Sequence, residues 1–250
     1  AEEGPGWLRW GGVDIILSCE GVTKRFGGLV ALNKVSVDVR RGELLGIIGP
    51  NGSGKTTLIN VISGVLIPDE GRVVFEGRDI TRLKPHKRVA LGISRSFQGM
   101  RVYPYLPVYY NVELSARSVF KDPRLARART TWALTITGLL GDAGELAVNL
   151  TPYKLRMVEL ARALVTNPRL VLLDEPFAGL SPEEVEEIVG IVRKLSRGGI
   201  TFIIVEHKLR YLMKLVERVV VLNGGVKIFE GAPSEAVKNE EVARVYLGVA

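Results

Sequence analysis

The chain has 250 residues, of which 46% are hydrophobic and 24% charged, and its net charge is +7. This length suits one large domain or two small ones, and no run approaches the roughly 20 apolar residues needed to cross a bilayer. The single cysteine, Cys19, excludes an internal disulfide. Basic residues are spread along the chain without interleaved aromatic residues. We therefore favour a solvated basic surface over a site for nucleic acid or an anionic membrane.

The first predicted elements are strands, which follow an N-terminal extension over residues 1–13. Runs of β-forming residues at 15–19, 35–39 and 73–77 predict a β-rich unit. The continuous apolar run at 44–48 predicts a buried strand within this unit, and residues 57–62 predict the helix that comes next.

The most specific motif lies between that strand and that helix. Residues 49–56, GPNGSGKT, match the pattern G-x-x-x-x-G-K-[ST] at every fixed position. Glycines let backbone N–H groups close around phosphate, Lys55 can reach the β- and γ-phosphates, and Thr56 offers a hydroxyl to Mg²⁺. An ordinary glycine turn would not explain why Lys and Thr follow at this spacing. We predict these nucleotide-binding residues: Gly49, Pro50, Asn51, Gly52, Ser53, Gly54, Lys55, Thr56 and Thr57.

The middle of the chain changes character. From about residue 100 to 166, apolar residues recur at helical spacing, as at Leu134 and Leu139 and over 155–164, which predicts a mostly helical insertion. Two prolines predict a loop at 103–107. Just before it, Gln98 follows a strand-like run, and its amide could bind Mg²⁺ or water. An ordinary surface glutamine is the simpler interpretation of Gln98 taken alone.

A second group of polar residues follows two further apolar strands. Residues 170–173 lead directly into Asp174 and Glu175. In a P-loop protein an aspartate at this place holds Mg²⁺, and the next carboxylate can take a proton from an attacking water. The alternative is that Asp174 and Glu175 are simply a solvated acidic pair at a strand end. The presence of the P-loop makes this alternative less favoured. His207 follows the strand at 201–205 and can reach the γ-phosphate or that water. A lone histidine is otherwise usually a packing residue.

Turn and cap signals complete the pattern. Ser181 before a proline and two glutamates predicts a helix with a capping box. Residues 223–225, between apolar runs at 218–222 and 226–229, predict a hairpin.

This order of elements resembles the ATP-binding-cassette (ABC) ATPases over residues 14–250. The resemblance implies an α/β P-loop NTPase fold with a mixed, mainly parallel core sheet, an antiparallel β subdomain and a helical subdomain at about 100–166. Residues 49–56 resemble the Walker A motif. The other matching residues are the Q-loop glutamine Gln98, the Walker B pair Asp174 and Glu175, the switch histidine His207 and the adenine-stacking aromatic Phe26.

The resemblance implies an ATPase subunit that drives a membrane transporter from the cytoplasmic face, with ATP and Mg²⁺ as ligands. It assigns Thr56, Gln98 and Asp174 to the metal, and Glu175, His207 and Gln98 to catalysis. Permease subunits and a second ATP-binding subunit are the implied partners, and no nucleic acid is expected. Residues 94–98, 205–207 and 245–248 resemble the importers of branched-chain amino acids. Related subunits for amides, urea or lipopolysaccharide export share parts of this likeness, so substrate and direction stay open.

One stretch departs from the family. The signature L-S-G-G-Q is replaced at 150–154 by LTPYK. Thr151 can still cap the helix and face a nucleotide, and Pro152 suits its first turn. However, Pro152 has no N–H and Tyr153 fills the space that glycine would leave, while Lys154 adds a charge that could compensate in part.

In ABC ATPases each signature helix completes the partner's Walker site. We therefore favour a heterodimer with one strong and one weak site over a homodimer. Two alternatives remain open. One is a soluble ABC ATPase that acts on nucleic acid or translation, and the other is a nucleotide-binding subunit that does not hydrolyse ATP.

Overall fold

The computed structural model of the protein describes residues 9–10, 13–96 and 102–247. Gln98 and most of the predicted extension over 1–13 lie outside the described residues. The strands are β1 (Arg9–Trp10), β2 (Val13–Phe26), β3 (Leu29–Arg40), β4 (Leu44–Ile48), β5 (Glu70–Phe75), β6 (Arg78–Asp79), β7 (Ile93–Arg95), β8 (Leu170–Asp174), β9 (Thr201–Val205), β10 (Arg218–Asn223) and β11 (Val226–Gly231).

The helices follow in the same chain order. They are α1 (Lys55–Ser63), α2 (Pro85–Ala90), α3 (Val108–Arg117), α4 (Pro123–Ile136), α5 (Pro152–Leu164), α6 (Pro182–Arg197), α7 (Leu209–Leu215), α8 (Pro233–Ala236) and α9 (Glu240–Leu247), with 3₁₀ turns at Leu140–Asp142 and Ala147–Asn149. Within the described part of the chain, no helix has both the length and the apolarity required to cross a bilayer.

The core sheet positions the functional site. Among the described residues it contains six strands in the order β11-β10-β4-β9-β8-β7. All neighbours are parallel except β11, which pairs antiparallel with β10 at one edge. Every residue of β4, β8 and β9 is buried, as expected for strands covered on both faces. The carboxyl ends of these strands share one edge, where ligands of open α/β sheets bind.

A second, antiparallel sheet covers one face of the core. Its strands in the described residues are β1, β2, β3, β5 and β6, and β2 lies between β3 and β5. The hairpin of β2 and β3 closes between the paired residues Phe26 and Leu29, which places Phe26 at its tip. The predicted α/β class with a mixed core sheet and an antiparallel β unit is confirmed.

Helix α1 is held between the two sheets. Leu58, Ile59 and Val61 are completely buried in a cluster that includes residues of both sheets. Full burial of such a side chain contributes about 1.5–3 kcal/mol. Cys19 is a core residue, because it is buried in the same cluster, and this burial raises the pKa of its thiol to about 12.

On the opposite face of the core sheet, α3, α4 and α5 pack against one another. The helical spacing of Leu134 and Leu139 does not place both residues in one helix, because α4 stops at Ile136 and Gly138 adopts a φ of 71°. The N–H of Leu139 then donates to the carbonyl of Leu134 at 2.8 Å. Leu139 is buried nonetheless. Its place in the apolar pattern therefore reflects burial in the core and not membership of α4.

A buried arginine closes the C-terminal end of α1. The Arg88 guanidinium is inaccessible and donates to the carbonyls of Val61 and Ile62, both at 2.7 Å. It also donates to the carbonyls of Leu83 and Thr81. A cation at this end opposes the negative pole of the helix dipole. Burial lowers the pKa of Arg88 to about 10, so the group keeps its charge at neutral pH.

Replacing Arg88 by Met should destabilise the protein by about 2–4 kcal/mol, because several buried carbonyls lose a charged donor. The free energy of unfolding, measured in urea, tests this. Arg82 is exposed, and Arg82→Met should change that free energy by less than about 0.5 kcal/mol. If the two variants unfold at the same urea concentration, Arg88 does not hold α1.

Candidate functional site

The P-loop joins β4 to α1 and is built around glycines that admit no side chain. Gly49 and Gly54 have φ angles of 151° and 101°. A Cβ on Gly49 would stand 2.1 Å from the carbonyl oxygen of Leu222, and one on Gly54 would stand 2.5 Å from that of Ala31. Glycine is therefore required at both positions for steric reasons, and a glycine-built loop before a helix is a type of backbone that binds anions.

Lys55 lies folded into this loop. Its Nζ donates to the carbonyls of Gly49 and Pro50, both at 2.8 Å, and the residue is buried. Burial lowers the pKa of Lys55, while the nearby carboxylates of Glu175 and Asp174 oppose that shift. The ammonium is therefore pre-positioned at the loop, close to the acidic pair.

A cleft of about 540 Å³ opens above the P-loop. Residues 51–57 line its floor, and Phe26, Glu175 and His207 line its sides. All of these residues are predicted from the sequence, and the fold brings them together. Residues 29–31 and Gly224 also line the cleft and are not predicted from the sequence. No local motif marks them, since they reach the site only through the pairing of β2 with β3 and of β10 with β11.

Glu175 and His207 face each other in the cleft. His207 Nε2 lies 3.2 Å from Glu175 Oε1. Glu175 adopts a φ of 51°, which is unusual for a residue with a side chain. This conformation turns the chain sharply after β8, so that Asp174 stays buried while Glu175 reaches the cleft. Its N–H is fixed by the carbonyl of Val205 at 2.8 Å.

Glu206 is a positioning residue that sequence analysis did not assign. Its buried carboxylate accepts hydrogen bonds from the N–H groups of Phe177, His207 and Lys208 at 2.6–2.8 Å. These bonds fix the backbone on which the His207 side chain stands. The sequence does contain a signal for this role, since Glu206 directly follows a buried apolar strand. A carboxylate buried at such a place needs hydrogen-bond donors around it.

Asp174 has the features of a metal carboxylate. Burial raises its pKa, and the adjacent guanidinium of Arg95 opposes this shift. Asp174 Oδ2 accepts from Arg95 at 3.0 Å, whereas the buried Oδ1 has no hydrogen-bond partner among the described residues. A bare buried carboxylate oxygen is costly unless it gains a ligand, and hard cations such as Mg²⁺ take oxygen ligands. Thr56, whose hydroxyl can bind the same ion, lines the cleft beside Glu175, the residue that follows Asp174. The residues present therefore fit Mg²⁺.

The helix that replaces the signature motif has a well-formed start. Thr151 caps α5 by accepting from the N–H of Lys154 at 3.2 Å, and Pro152 occupies the first turn, as predicted. The Tyr153 hydroxyl donates a hydrogen bond to Glu187 on α6. Burial raises the pKa of Tyr153, and this hydrogen bond raises it further. Thr151 does not line the P-loop cleft in the described part of the chain, so any nucleotide it meets belongs to another site.

Lys154 is already paired within the chain. Its Nζ lies 2.6 Å from Asp142 Oδ1, and both side chains are partly exposed. The sequence led us to expect that this charge could compensate for the lost glycines. It can do so only after leaving Asp142, although an exposed pair of this kind contributes at most about 1 kcal/mol.

Comparison with known proteins agrees with this geometry. Residues 32–178 match the sequence profile of the family described as ABC transporter. The high-affinity branched-chain amino acid transport ATP-binding protein LivG of Salmonella typhimurium is 34% identical over 252 residues, which cover 94% of this chain and 98% of LivG.

Solved structures show the same fold. The ADP conformation of MJ1267, an ATP-binding cassette of an ABC transporter, gives a TM-score of 0.86 at 34% identity, covering 94% of this chain and 99% of that chain. The dimeric structure of MJ0796, a bacterial ABC transporter cassette, gives 0.80 at 27% identity, covering 87% and 99%. The chain thus belongs to the ABC transporter family, as an ATP-binding subunit that hydrolyses ATP to power transport.

Proposed function

We propose that the protein energises the transport of branched-chain amino acids, and that it does so while bound to permease subunits at the cytoplasmic face of a membrane. The observation that carries its energising role is one cleft that contains the P-loop, Glu175 and His207. The substrate class rests on the name and near-complete coverage of LivG.

ATP binding is assigned to the cleft residues as follows. Backbone N–H groups at the start of α1 and the Lys55 ammonium bind the phosphates, since they lie at the cleft and at the positive end of the helix dipole. Phe26 is 46% exposed at the cleft side, with the Lys24 ammonium 5.8 Å from its ring centroid. The exposed part of the ring stacks on the adenine. Such stacking contributes about 1–3 kcal/mol.

Hydrolysis is assigned to Glu175 and His207. Glu175 accepts a proton from the water that attacks the γ-phosphorus, and His207, at 3.2 Å, orients that carboxylate and faces the same phosphate. Thr56, Asp174 and Gln98 would hold Mg²⁺. When bound, this ion neutralises charge that develops on the phosphate oxygens.

The permease contact is assigned to a groove between α2 and the α3–α5 helices. It measures about 550 Å³, and its walls include Val89, Tyr103 and Ser115. Ser96 and Val102, the described residues on either side of Gln98, also line it. A permease segment in this groove would therefore contact the chain beside a residue assigned to the nucleotide, which supports coupling between the two.

The second ATP-binding subunit is proposed to be a different chain. At the start of α5, Pro152 offers no N–H, and Tyr153 and Lys154 are each bound within this chain. The site that this helix completes on a partner is therefore weak, whereas the P-loop cleft of this chain is intact. A heterodimer leaves one complete site, which a homodimer lacks.

Glu175→Gln should lower ATP turnover at least about 100-fold while ATP binding persists, because only the proton acceptor is lost. Phosphate release and binding of fluorescent ATP, measured on the assembled transporter, test this. The exposed Glu186→Gln on α6 is the matched control and should retain full turnover. Turnover within threefold of the wild type in Glu175→Gln would remove Glu175 from this role.

The heterodimer hypothesis predicts that the purified chain alone turns over ATP at least about 10-fold more slowly than the chain with its partner subunit. The double change Pro152→Gly and Tyr153→Gly should raise turnover of the lone chain, because it restores a donor and space. Glu187→Ala, which removes only the hydrogen-bond acceptor of Tyr153, is the control. Cooperative hydrolysis at ordinary rates by the unmodified lone chain would contradict the hypothesis.

A further inference from the structure

Arg95, the last residue of β7, connects two elements that belong to the nucleotide site. Its guanidinium donates to Asp174 Oδ2 at 3.0 Å, at the end of β8. It also donates to Asn60 Oδ1 at 2.5 Å and to Ser63 Oγ at 3.1 Å, both on α1. Only 7% of the Arg95 side chain is exposed, and none of the Asp174 side chain.

The two described residues assigned to Mg²⁺ stand on these same elements. Thr56 lies in the first turn of α1, and Asp174 ends β8. β8 pairs with β7 and β9 and has no backbone pairing to α1. Their relative position therefore depends on side chains that bridge helix and strand. Arg95 is such a bridge, because it grips the helix at Asn60 and Ser63 and the strand at Asp174.

Arg95 also gives the two carboxylate oxygens of Asp174 different roles. It occupies Oδ2, and Oδ1 is left without a partner among the described residues. A rotation of the carboxylate would break the Arg95 bond, so this bond keeps Oδ1 as the oxygen that would be available to a metal ion. The planar guanidinium can reach acceptors on two sides at once, which a lysine ammonium on a flexible stem cannot do as well.

We propose that Arg95 is a positioning residue that sets the metal affinity of the ATP complex, by holding Asp174 at a fixed place relative to the helix of Thr56. The proposal rests on the proposed function of the cleft. The hydrogen bond from Arg95 then connects β7 directly to Asp174. β7 ends shortly before Gln98.

The test separates metal binding from nucleotide binding in the full-length chain. Fluorescent ATP is titrated in EDTA. In a separate sample without EDTA, Mn²⁺ is titrated into the ATP complex and followed by electron paramagnetic resonance. Arg95→Gln should bind ATP in EDTA within about threefold of the wild type but require about 10-fold more Mn²⁺ for half-saturation, as is typical when a partner of a metal ligand is lost. Arg95→Lys should fall between the two.

Arg72 provides the matched control, because it pairs with Glu20 at 2.6 Å on the exposed face of the antiparallel sheet. Arg72→Gln should leave both titrations unchanged. If Arg95→Gln binds ATP and its Mn²⁺ half-saturation stays within twofold of the wild type, the proposal is wrong. If the wild type binds no ATP, the proposed function itself fails, which is a different result.

Asn60→Ala keeps the test decisive if Arg95→Gln does not fold. It loosens the guanidinium without leaving the Asp174 charge unpaired. We expect half-saturation by Mn²⁺ to rise by about two- to threefold, with the melting temperature close to that of the wild type. An unchanged Mn²⁺ titration in folded Asn60→Ala would overturn the bridging role.

Discussion

Close backbone packing around the P-loop is the constraint on which the rest of the structure depends. Gly49 passes beside the carbonyl of Leu222, and Gly54 passes beside that of Ala31, at distances that exclude a Cβ. The loop is therefore shaped by β10 and β3, which belong to different sheets. Since α1 is buried between those sheets, the phosphate site forms only when both layers are in place.

The sequence could predict those parts of the fold that have a local signal. The buried strands around residues 44–48, 170–173 and 201–205 are continuous apolar runs, and the helix after Ser181 has the predicted capping box. Such patterns reflect burial and cap chemistry at neighbouring positions. The helical spacing of Leu134 and Leu139 did not reveal the end of α4, because Leu139 is buried without being helical.

The contacts that sequence patterns did not predict are the long-range ones. Nothing near Arg95 indicates that it pairs with Asp174, 79 residues away. The hydrogen bond from the Phe177 N–H to Glu206 likewise depends on the pairing of β8 with β9. Short sequence motifs predicted the residues that face the nucleotide. The residues that position them through hydrogen bonds, such as Arg95 and Glu206, can be recognised only in the tertiary structure. The signature region shows the same limit, since the pairing of Lys154 with Asp142 is not visible in its motif.

The left-handed backbone of Glu175 has a consequence for evolution and engineering. A non-glycine residue at φ 51° typically costs about 1–3 kcal/mol of stability. Sequences with glycine or asparagine at this position would therefore fold more stably and lose the carboxylate. Selection for stability alone would erode the ATPase, and screens for heat-resistant variants of this chain would enrich inactive ones.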